Sequence, residues 1–253
     1  MSRAVLLGSG TSNGVPTLGI DYPKSFLDNP KNHRTRPSLL LEGPEGNLLI
    51  DCAPEMRLQL LKAEVGMVDA VVITHTHADH IMGMDDLRSF CLKSKKVMPI
   101  YTLQRYQDDI RRVFNYAFME FPEGIDVPRF ELNDIPEVLH VCGLKLNMFT
   151  VHHGPIPVLA FRVNDFAYVT DVSEIPAEAE PHLCGLQTLI LDAVRYKPHP
   201  NHFHFEKAVD EAQRIGAKRT IFTHLSHDYD HDIVNGELPP GIELGYDGQR
   251  FEI

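Results

Sequence analysis

The sequence predicts an α/β (α+β) fold in which two packed mixed sheets are flanked by helices. Apolar runs typical of strands occur in both halves of the chain, and amphipathic patterns typical of helices are interspersed among them. The 253 residues suffice for one domain with two packed sheets, and we find no internal repeat, low-complexity tract or linker-like stretch in the sequence. We therefore predict a single domain over residues 1–253.

Local patterns along the chain predict the individual elements. Short apolar runs bounded by turn residues predict strands, and apolar residues recurring every three or four positions predict helices. The predicted strands cover residues 5–7, 37–42, 47–51, 68–74, 166–169, 188–191 and 220–223, with several more between 128 and 171. The predicted helices cover residues 55–65, 79–93, 104–120 and 204–215. The third helix has an apolar face made of Ile110, Val113, Phe114 and Ala117.

Composition and charge limit the partners of the chain. Its formal net charge of −11 disfavours long nucleic acid, whose binding depends on Lys and Arg at phosphates, but allows a small phosphate ester at a metal centre. No apolar run approaches the roughly 20 residues of a membrane helix, and the first residues show no secretory pattern. The isolated cysteines agree with a cytoplasmic protein in which they serve as small buried hydrophobic residues. They are Cys52, Cys91, Cys142 and Cys184.

The most informative segment is Thr74-His75-Thr76-His77-Ala78-Asp79-His80, in a chain with 14 histidines. It directly follows a predicted strand, and residues two apart in extended chain point the same way, so His75 and His77 can bind one ion. The following turn into a helix can direct Asp79 and His80 at a second ion. Imidazole and carboxylate ligands suit Zn, Mn or Fe. The alternatives are a histidine-rich surface loop and a structural zinc site, although structural zinc usually takes thiolates, which this segment lacks.

Other strand ends can complete the two metal sites. His152 and His153 follow one predicted strand, Asp171 follows the strand at 166–169, and His224 follows the strand at 220–223. Each of these residues alone is more typical of a turn. With one histidine counted from the pair 152–153, these residues and the first segment supply seven ligands, five histidines and two aspartates. Asp171 is placed where it could bridge two ions.

The glycines near the start of the chain indicate a loop. Val5-Leu6-Leu7-Gly8-Ser9-Gly10 is similar to the beginning of a dinucleotide-binding fingerprint. The third glycine, Gly14, comes one position late, and Pro16 prevents a helix from propagating directly after it. We therefore expect these glycines to shape a loop beside the metal ions.

The order His-x-His-x-Asp-His, followed by separate His, Asp and His residues, resembles the metallo-β-lactamase superfamily, which implies a four-layer αβ/βα sandwich. Within this superfamily, the chain resembles the branch that holds ribonuclease Z and the phosphoribosyl cyclic phosphodiesterase of phosphonate breakdown, and the latter more closely. The resemblance covers nearly the whole chain. It includes residues 8–16, 29–36, 85–88, 201–202 and 223–227.

The resemblance implies a hydrolase with two divalent metal ions, Mn or Zn with Fe as a further option. The implied ligands of the first ion are His75, His77 and His153. The implied ligands of the second ion are Asp79, His80 and His224, with Asp171 bridging the two. His153 is chosen over His152 because it directly precedes the turn at Gly154, as the matching ligand does in the family.

The resemblance also assigns roles beyond the ligands. Asp51, at the end of the strand at 47–51, matches a position that orients the ligand histidines. His202 matches a histidine that acts at the substrate phosphate, a task that suits a side chain titrating near neutral pH. The predicted catalytic residues are therefore His202 and Asp79.

One departure from the relatives bears on the substrate. The phosphonate-pathway proteins carry a cysteine cluster that binds a structural zinc together with a late histidine, whereas residues 19–25 contain no cysteine and leave His227 without thiolate partners. We therefore predict no structural zinc. Ribonuclease Z proteins grip transfer RNA with a basic, glycine-rich arm, and residues 94–150 show no such pattern. We expect a small phosphodiester substrate, such as a cyclic ribose phosphate or a cyclic nucleotide.

Several alternatives stay open. The same metal centre could hydrolyse a lactone or a thioester, cleave RNA ends, or bind metal without turnover. His202 could instead cap a helix or join His199 and His204 in a third metal site. The apolar face of residues 104–120 could form a homodimer contact as easily as part of the core. The arginines that could contact a phosphate, or simply form surface ion pairs, are Arg34, Arg36 and Arg88.

Overall fold

The structure is a computed structural model that describes residues 2–122 and 124–253. Within these residues, the strands form two sheets of seven strands each. In chain order, the strands are β1 (Arg3–Gly8), β2 (Ser38–Gly43), β3 (Gly46–Ile50), β4 (Ala70–Val72), β5 (Met98–Thr102), β6 (Phe130–Asp134), β7 (Val138–Val141), β8 (Leu144–His153), β9 (Ile156–Val163), β10 (Phe166–Val169), β11 (Thr188–Asp192), β12 (Arg219–Thr223), β13 (Ile242–Leu244) and β14 (Gln249–Glu252). The first sheet has the order β14-β1-β2-β3-β4-β5-β6, and the second has the order β13-β12-β11-β10-β9-β8-β7.

Both sheets are mixed, as the sequence predicts. In the first sheet, the pairs from β14 to β3 are antiparallel and the pairs from β3 to β6 are parallel. In the second sheet, the pairs from β7 to β10 are antiparallel and the pairs from β10 to β13 are parallel. Because parallel strands run in one direction, their carboxyl ends lie at the same edge of each sheet.

The helices lie mostly in the connections between parallel strands. They are α1 (Lys24–Leu27), α2 (Met56–Lys62), α3 (Ala78–Ile81), α4 (Arg88–Ser94), α5 (Gln104–Val113), α6 (Glu180–Leu183), α7 (Phe205–Ile215) and α8 (His231–Glu237). Short 3₁₀ helices cover Pro30–Asn32, Met84–Leu87 and Asn115–Phe118. In the part of the chain that the structure describes, no helix has both the length and the apolar character to cross a bilayer.

Alternation along the strands builds three apolar layers. Leu6 of β1 packs in a central cluster with Tyr168 and Ile221 from the other sheet, so the two sheets pack face to face. Leu7, one residue further along β1, points to the opposite face and packs in a second cluster with residues of α2, α4 and α5. A third cluster joins the second sheet to α6, α7 and α8, including Ala208. The order of layers is therefore helix, sheet, sheet, helix, which confirms the predicted αβ/βα sandwich.

Two of the predicted helices are shorter than expected. The helix predicted at 79–93 is divided into α3, a 3₁₀ turn and α4, because Gly83 lies against the backbone of Ala53 and its N–H donates to the Cys52 carbonyl at 2.9 Å. The helix predicted at 104–120 ends at Val113 and resumes as a 3₁₀ turn.

The apolar face predicted for residues 104–120 belongs to the core of the first sheet. Ile110, Phe114 and Ala117 are buried in the cluster that contains α2 and α4. Val113, which was predicted on the same face, is 38% exposed, so its placement was wrong. Val113 is the last residue of α5, because the next residue, Phe114, leaves the helical conformation with φ −113° and ψ 42°. This face is therefore taken up by the core, which leaves little of it for a homodimer contact.

The prediction that all four cysteines are buried is half right. Cys52 and Cys91 are buried, whereas Cys142 is half-buried and Cys184 is exposed. Cys142 lies in the turn between β7 and β8, and Cys184 directly follows α6. Both lie at element ends near the surface, where sequence hydrophobicity does not determine burial.

A Gly83→Ala variant should be less stable than the wild type by about 2 kcal/mol, because the added Cβ would clash with the Ala53 carbonyl oxygen. The matched control is Gly236→Ala in α8, where a Cβ meets nothing within 4 Å among the described residues. That variant should be unchanged or more stable by up to about 1 kcal/mol. Urea unfolding of both variants measures the difference, and equal stability of the two would contradict the packing described at Gly83.

Stability should also depend on pH through His231, which is 2% exposed at the start of α8. Burial, together with the charges of Lys31 and Arg34, lowers the pKa of His231 to about 4, although Asp230 and Asp232 act in the opposite direction. The unfolded chain therefore takes up this proton first as pH falls, and the free energy of unfolding decreases from about pH 6.5 towards pH 4.

Between pH 7 and pH 5, this one group should account for a loss of about 2 kcal/mol. A His231→Gln variant should lack that part of the loss, while a variant of the exposed His140, His140→Gln, should retain it. Urea unfolding at the two pH values gives the comparison. If His231→Gln kept the full wild-type pH dependence, the assignment to His231 would be wrong.

Candidate metal centre

The predicted ligands lie where strands of the two sheets end. His153 ends β8, Asp171 lies two residues beyond β10, and His224 directly follows β12. From the other sheet, β4 leads into the segment that contains His75. Since β8, β10 and β12 run in the same direction, their carboxyl ends bring these side chains to one edge, facing the first sheet.

Three of the strand-end residues have an unusual backbone conformation. Asp51, Asp171 and His224 have φ values of 61°, 52° and 58°, in the left-handed region that residues other than glycine rarely adopt. Each turns the chain sharply at the end of its strand. Such conformations cost free energy and occur preferentially at functional sites, so this clustering points to the same edge of the molecule as the ligand pattern.

The first group of potential ligands consists of His75, His77 and His153. Their ligating nitrogens lie within 4.8 Å of one another. The ring centroids of His75 and His77 are 4.5 Å apart, and those of His77 and His153 are 5.1 Å apart. His75 and His153 are buried while His77 is exposed, so the group is open to solvent on one side.

The second group consists of Asp79, His80, Asp171 and His224, all buried, and again with ligating atoms within 4.8 Å of one another. His80 Nε2 lies 3.4 Å from Asp79 and 3.3 Å from Asp171. His224 Nε2 lies 3.5 Å from Asp79 and 3.2 Å from Asp171. The two histidines approach different oxygens of Asp171, which also lies within 4.8 Å of His153 from the first group.

In the second group, histidines and aspartates shift one another's pKa values. Burial alone would lower the pKa of His224, but the carboxylates of Asp171 and Asp79 outweigh it and raise the pKa to about 9. The same carboxylates, with Asp51, raise the pKa of His80. In return, His80 and His224 hold the pKa of Asp79 below its ordinary value despite burial. A bound cation would take over the role of the protons on the two imidazoles.

The donor atoms fit divalent metal ions. Among the described residues, Nε2 of His75, His80 and His224 is buried and makes no hydrogen bond of good geometry, although the latter two lie 3.2 to 3.5 Å from carboxylate oxygens. Buried polar atoms normally have partners, and imidazole nitrogens grouped with carboxylates are ligands for Zn, Mn and Fe. The fold and this cluster together imply divalent metal ions.

Hydrogen bonds fix the orientation of the ligand histidines. Asp51, fully buried, lies 2.7 Å from His80 Nδ1 and also accepts from the N–H and hydroxyl of Thr74. His153 Nδ1 lies 2.7 Å from the carbonyl of Asn201. With each Nδ1 engaged as a donor, the Nε2 of each ring keeps its lone pair towards the cluster. Asp51 is therefore placed as the sequence suggested.

His202 lies beside both groups. Its ring centroid is 4.4 Å from that of His153 and 4.7 Å from that of His224. Its Nδ1 lies 2.8 Å from Asp192, which is fully buried and also accepts from the N–H of Val172. These contacts make a helix-capping role unnecessary, since the residue that precedes α7 is His204.

Asp192 was missed by the sequence reasoning, although a signal for it exists. It ends the apolar strand β11 just as Asp51 follows β3 and Asp171 follows β10. The strand at 188–191 was predicted, but its last residue was not considered as part of the site. Counting every acidic residue at the end of a buried strand would have included it.

The remaining candidates lie outside the cluster. Arg36 pairs with Glu55 and Arg88 pairs with Asp85, so both form ion pairs of the ordinary kind. Arg34 is buried and only 1% exposed. His152 is exposed and lies 3.5 Å from Glu174, which agrees with the choice of His153. Within residues 2–122 and 124–253, the groups of three or more potential ligands include neither His199 nor His204.

The glycine-rich loop runs beside His224, as expected. The N–H of Thr11 donates to the Leu225 carbonyl at 3.1 Å, and the N–H of Leu225 donates to the Ser9 carbonyl at 2.8 Å. A Cβ on Gly10 would crowd the backbone of Arg34, so the loop requires glycine for this close approach.

Comparison with known proteins settles the family. Residues 46–225, more than half of the chain, match the model of the beta-lactamase superfamily domain. This chain belongs to the beta-lactamase superfamily. The resemblance carried by the histidine segment is therefore confirmed, and the family supports the prediction of a metal-dependent hydrolase.

Three similar proteins add detail. A crystal structure of a diphosphatase from the PhnP family has a TM-score of 0.92 and 35% identity, and the match covers 100% of this chain and 98% of that chain. An octanoyltransferase of Porphyromonas gingivalis is 36% identical over 254 residues, covering 97% of this chain and 50% of that protein. A ribonuclease Z of Bradyrhizobium diazoefficiens is 37% identical over 128 residues, covering 49% of this chain and 42% of that protein. The chain thus spans about half the length of these two curated relatives.

The contact between Asp51 and His80 leads to a test of metal affinity. An Asp51→Asn variant should bind divalent metal about 10 to 100-fold more weakly, because the amide cannot replace the carboxylate that orients and polarises His80. Asp210→Asn, a change at an exposed position on α7, is the matched control and should bind as the wild type does. Competition with a metal-sensitive chelator dye measures both, and equal affinities in the two variants would count against the role of Asp51.

Proposed function

We propose that this chain is a two-metal phosphodiesterase that acts on a small phosphodiester, such as a cyclic ribose phosphate or a cyclic nucleotide. The observation that carries the proposal is the position of Asp171, whose carboxylate lies within reach of both groups of potential ligands. A carboxylate shared by two ligand groups is the arrangement expected where two ions act together on one phosphoryl group.

The ligands would divide as the resemblance implies. The first ion would be held by His75, His77 and His153. The second would be held by Asp79, His80 and His224, with Asp171 shared. Mn and Zn both suit this set, and Fe is a further option. When bound, such ions supply Lewis acidity and neutralise charge on the phosphoryl oxygens during transfer to water.

His202 is suited to move a proton at the substrate. With Nδ1 donating to Asp192, Nε2 is the atom free to hold a proton or release it. The buried carboxylate of Asp192 fixes the orientation of the ring. We propose that Nε2 of His202 protonates the departing oxygen. Asp79, which lies 3.5 Å from Nε2 of His224 and 3.4 Å from Nε2 of His80, is the second residue proposed to take part in the reaction.

The charge of the chain and its similarity to known proteins both favour a small substrate. A net charge of −11 disfavours long nucleic acid, and a small phosphodiester needs no extended basic surface. The full-length similarity to the PhnP-family diphosphatase supports a second candidate, a diphosphate diester. Cleavage of RNA ends ranks third, supported by the partial match to ribonuclease Z.

Other readings of the same centre have less support. An acyl substrate, such as a thioester or a lactone, would agree with the octanoyltransferase similarity, but only half of that protein matches this chain. A metal-binding protein without turnover would have no use for the pairing of His202 with Asp192 beside both ligand groups.

The test of the proposal is metal-dependent hydrolysis of bis(p-nitrophenyl) phosphate. Metal-stripped protein should be inactive, and refilling with Mn²⁺ or Zn²⁺ should restore turnover. His202→Ala should bind as much metal as the wild type but lose about 100 to 10,000-fold in kcat, the usual contribution of a general acid. Asp79→Asn should lose both metal and activity, because Asp79 belongs to the second ligand group.

His140→Ala, at an exposed position on β7, controls for the loss of a histidine and should have wild-type activity. Metal content of each variant is measured alongside the rate. Absence of turnover in protein that holds about two ions per chain would refute the phosphodiesterase proposal and redirect the search to thioesters and lactones.

A further inference from the structure

A basic segment lies next to the metal centre. Residues 195–204, between β11 and α7, contain Arg195, Lys197 and three histidines but no Asp or Glu, in a chain with a net charge of −11. One of the histidines is His202, which is already placed at the reaction centre. The carbonyl of Asn201 orients His153. The positive charge of Arg195 and Lys197 has no role so far, although it matches the charge of an anionic substrate.

His199 is the member of the segment nearest to the centre. Its ring centroid is 4.8 Å from that of His202. His202 in turn meets His153 edge to face and stacks on His224. His199 is half-buried, so one side of the ring is accessible to a ligand. It therefore lies one ring further out than His202, towards solvent.

The backbone of Asn201 sets the hydrogen-bonding state of two histidines at once. Its carbonyl oxygen lies 2.7 Å from Nδ1 of His153, which donates to it. Its N–H donates to Nδ1 of His199 at 3.1 Å. In His153 the Nε2 atom therefore carries no hydrogen, and its lone pair can bind a metal ion. His199 is left with the opposite tautomer, in which Nε2 carries the hydrogen and can only donate.

Further contacts hold this segment in place. The guanidinium of Arg195 donates to the carbonyls of Lys197 and Pro198 at 3.1 and 2.9 Å. The N–H of Phe203 donates to the Val172 carbonyl at 2.6 Å. A donor that is fixed before the ligand arrives loses little entropy on binding, so the segment is prepared to recognise a group at a set distance from the metals.

We propose that His199 determines specificity for substrates with two linked phosphoryl groups, by donating from Nε2 to the phosphoryl group that leaves. This inference rests on the proposed phosphodiesterase function and concerns its second candidate substrate class, the diphosphate diesters. One phosphoryl group lies at the metals and the second reaches outward past His202 to His199. Arg195 and Lys197 belong to the same segment and contribute to its positive charge.

The reaction at such a substrate is a hydrolysis. A water oxygen forms a bond to the phosphorus at the metal centre, and the bond from that phosphorus to the bridging oxygen breaks. The bridging oxygen leaves on the second phosphoryl group and takes up a proton from Nε2 of His202. One hydrogen of the water stays with its oxygen on the first phosphorus and the other replaces the proton given up by His202, so the products are two phosphomonoesters. His199 contacts only the leaving half, where its hydrogen bond strengthens as negative charge grows on that group.

The experiment compares two substrates on metal-loaded protein. Bis(p-nitrophenyl) phosphate has one phosphoryl group, and diadenosine diphosphate has two and yields AMP. In His199→Ala, kcat/KM for diadenosine diphosphate should fall about tenfold or more, the loss expected for one hydrogen bond to a charged group. For bis(p-nitrophenyl) phosphate, kcat/KM should stay within about twofold of the wild type.

Two further variants sharpen the comparison. His199→Gln retains an N–H donor on a side chain of similar reach and should recover part of the activity towards the diphosphate. Lys145→Ala, an exposed position on β8 away from this segment, should leave both substrates unaffected. Metal content and thermal unfolding are recorded for each variant, so that a folding defect is recognised as a loss towards both substrates together.

The outcomes separate this inference from the proposed function. Turnover of bis(p-nitrophenyl) phosphate without turnover of diadenosine diphosphate would overturn the role of His199 and leave the phosphodiesterase intact. Equal losses for both substrates in His199→Ala, or no loss for either, would also overturn it. Failure of the wild type on every phosphodiester would refute the function itself, and this inference with it.

Discussion

Carboxylates buried between two sheets need positive partners, and this need shapes the whole centre. Asp79 and Asp171 are almost fully buried, and a carboxylate in such surroundings is unstable unless it is paired. His80 and His224 supply the pairing, which is why both imidazoles hold protons more tightly than usual. The four side chains form a balanced cluster whose protons a divalent cation can replace, so metal binding and protonation compete at one place.

The sandwich architecture makes this cluster possible. Four strands of the second sheet, β8, β10, β11 and β12, run in one direction and end at one edge, where each contributes a polar residue. The first sheet contributes Asp51 and the segment after β4 at the facing edge. The apolar clusters on the two faces of each sheet hold the strands in place. This packing offsets the free-energy cost of the left-handed conformations of Asp51, Asp171 and His224 at the strand ends.

The sequence was informative where function follows from local spacing. His75 and His77 are two residues apart in extended chain, and their common direction needs no knowledge of the fold. Asp171 and His224 were recognisable because each closes an apolar strand. The choice of His153 over His152 came from the resemblance, because His153 directly precedes the turn at Gly154. In the structure the two neighbouring side chains leave the strand on opposite faces, with His153 buried and His152 exposed.

Features that depend on contacts between residues distant in sequence could not be predicted from the sequence. Asp192 has its role because His202, ten residues later, and the N–H of Val172 meet it in space. The division of the helix predicted at 79–93 depends on how closely Gly83 approaches Ala53. The exposure of Val113 depends on where α5 ends against the first sheet. Each is a property of packing between elements, which periodicity does not encode.

The placement of ligands on both sheets has a mechanical consequence. His75, His77, Asp79 and His80 come from the connection after β4, whereas His153, Asp171 and His224 come from strands of the other sheet. Ions bound by both sets would link the amino-terminal and carboxyl-terminal halves of the chain. Neither half could then open without releasing them, so the metal-loaded protein would resist local unfolding at the shared edge. Amide hydrogen exchange at the ends of β4, β10 and β12 would therefore report whether the centre is occupied.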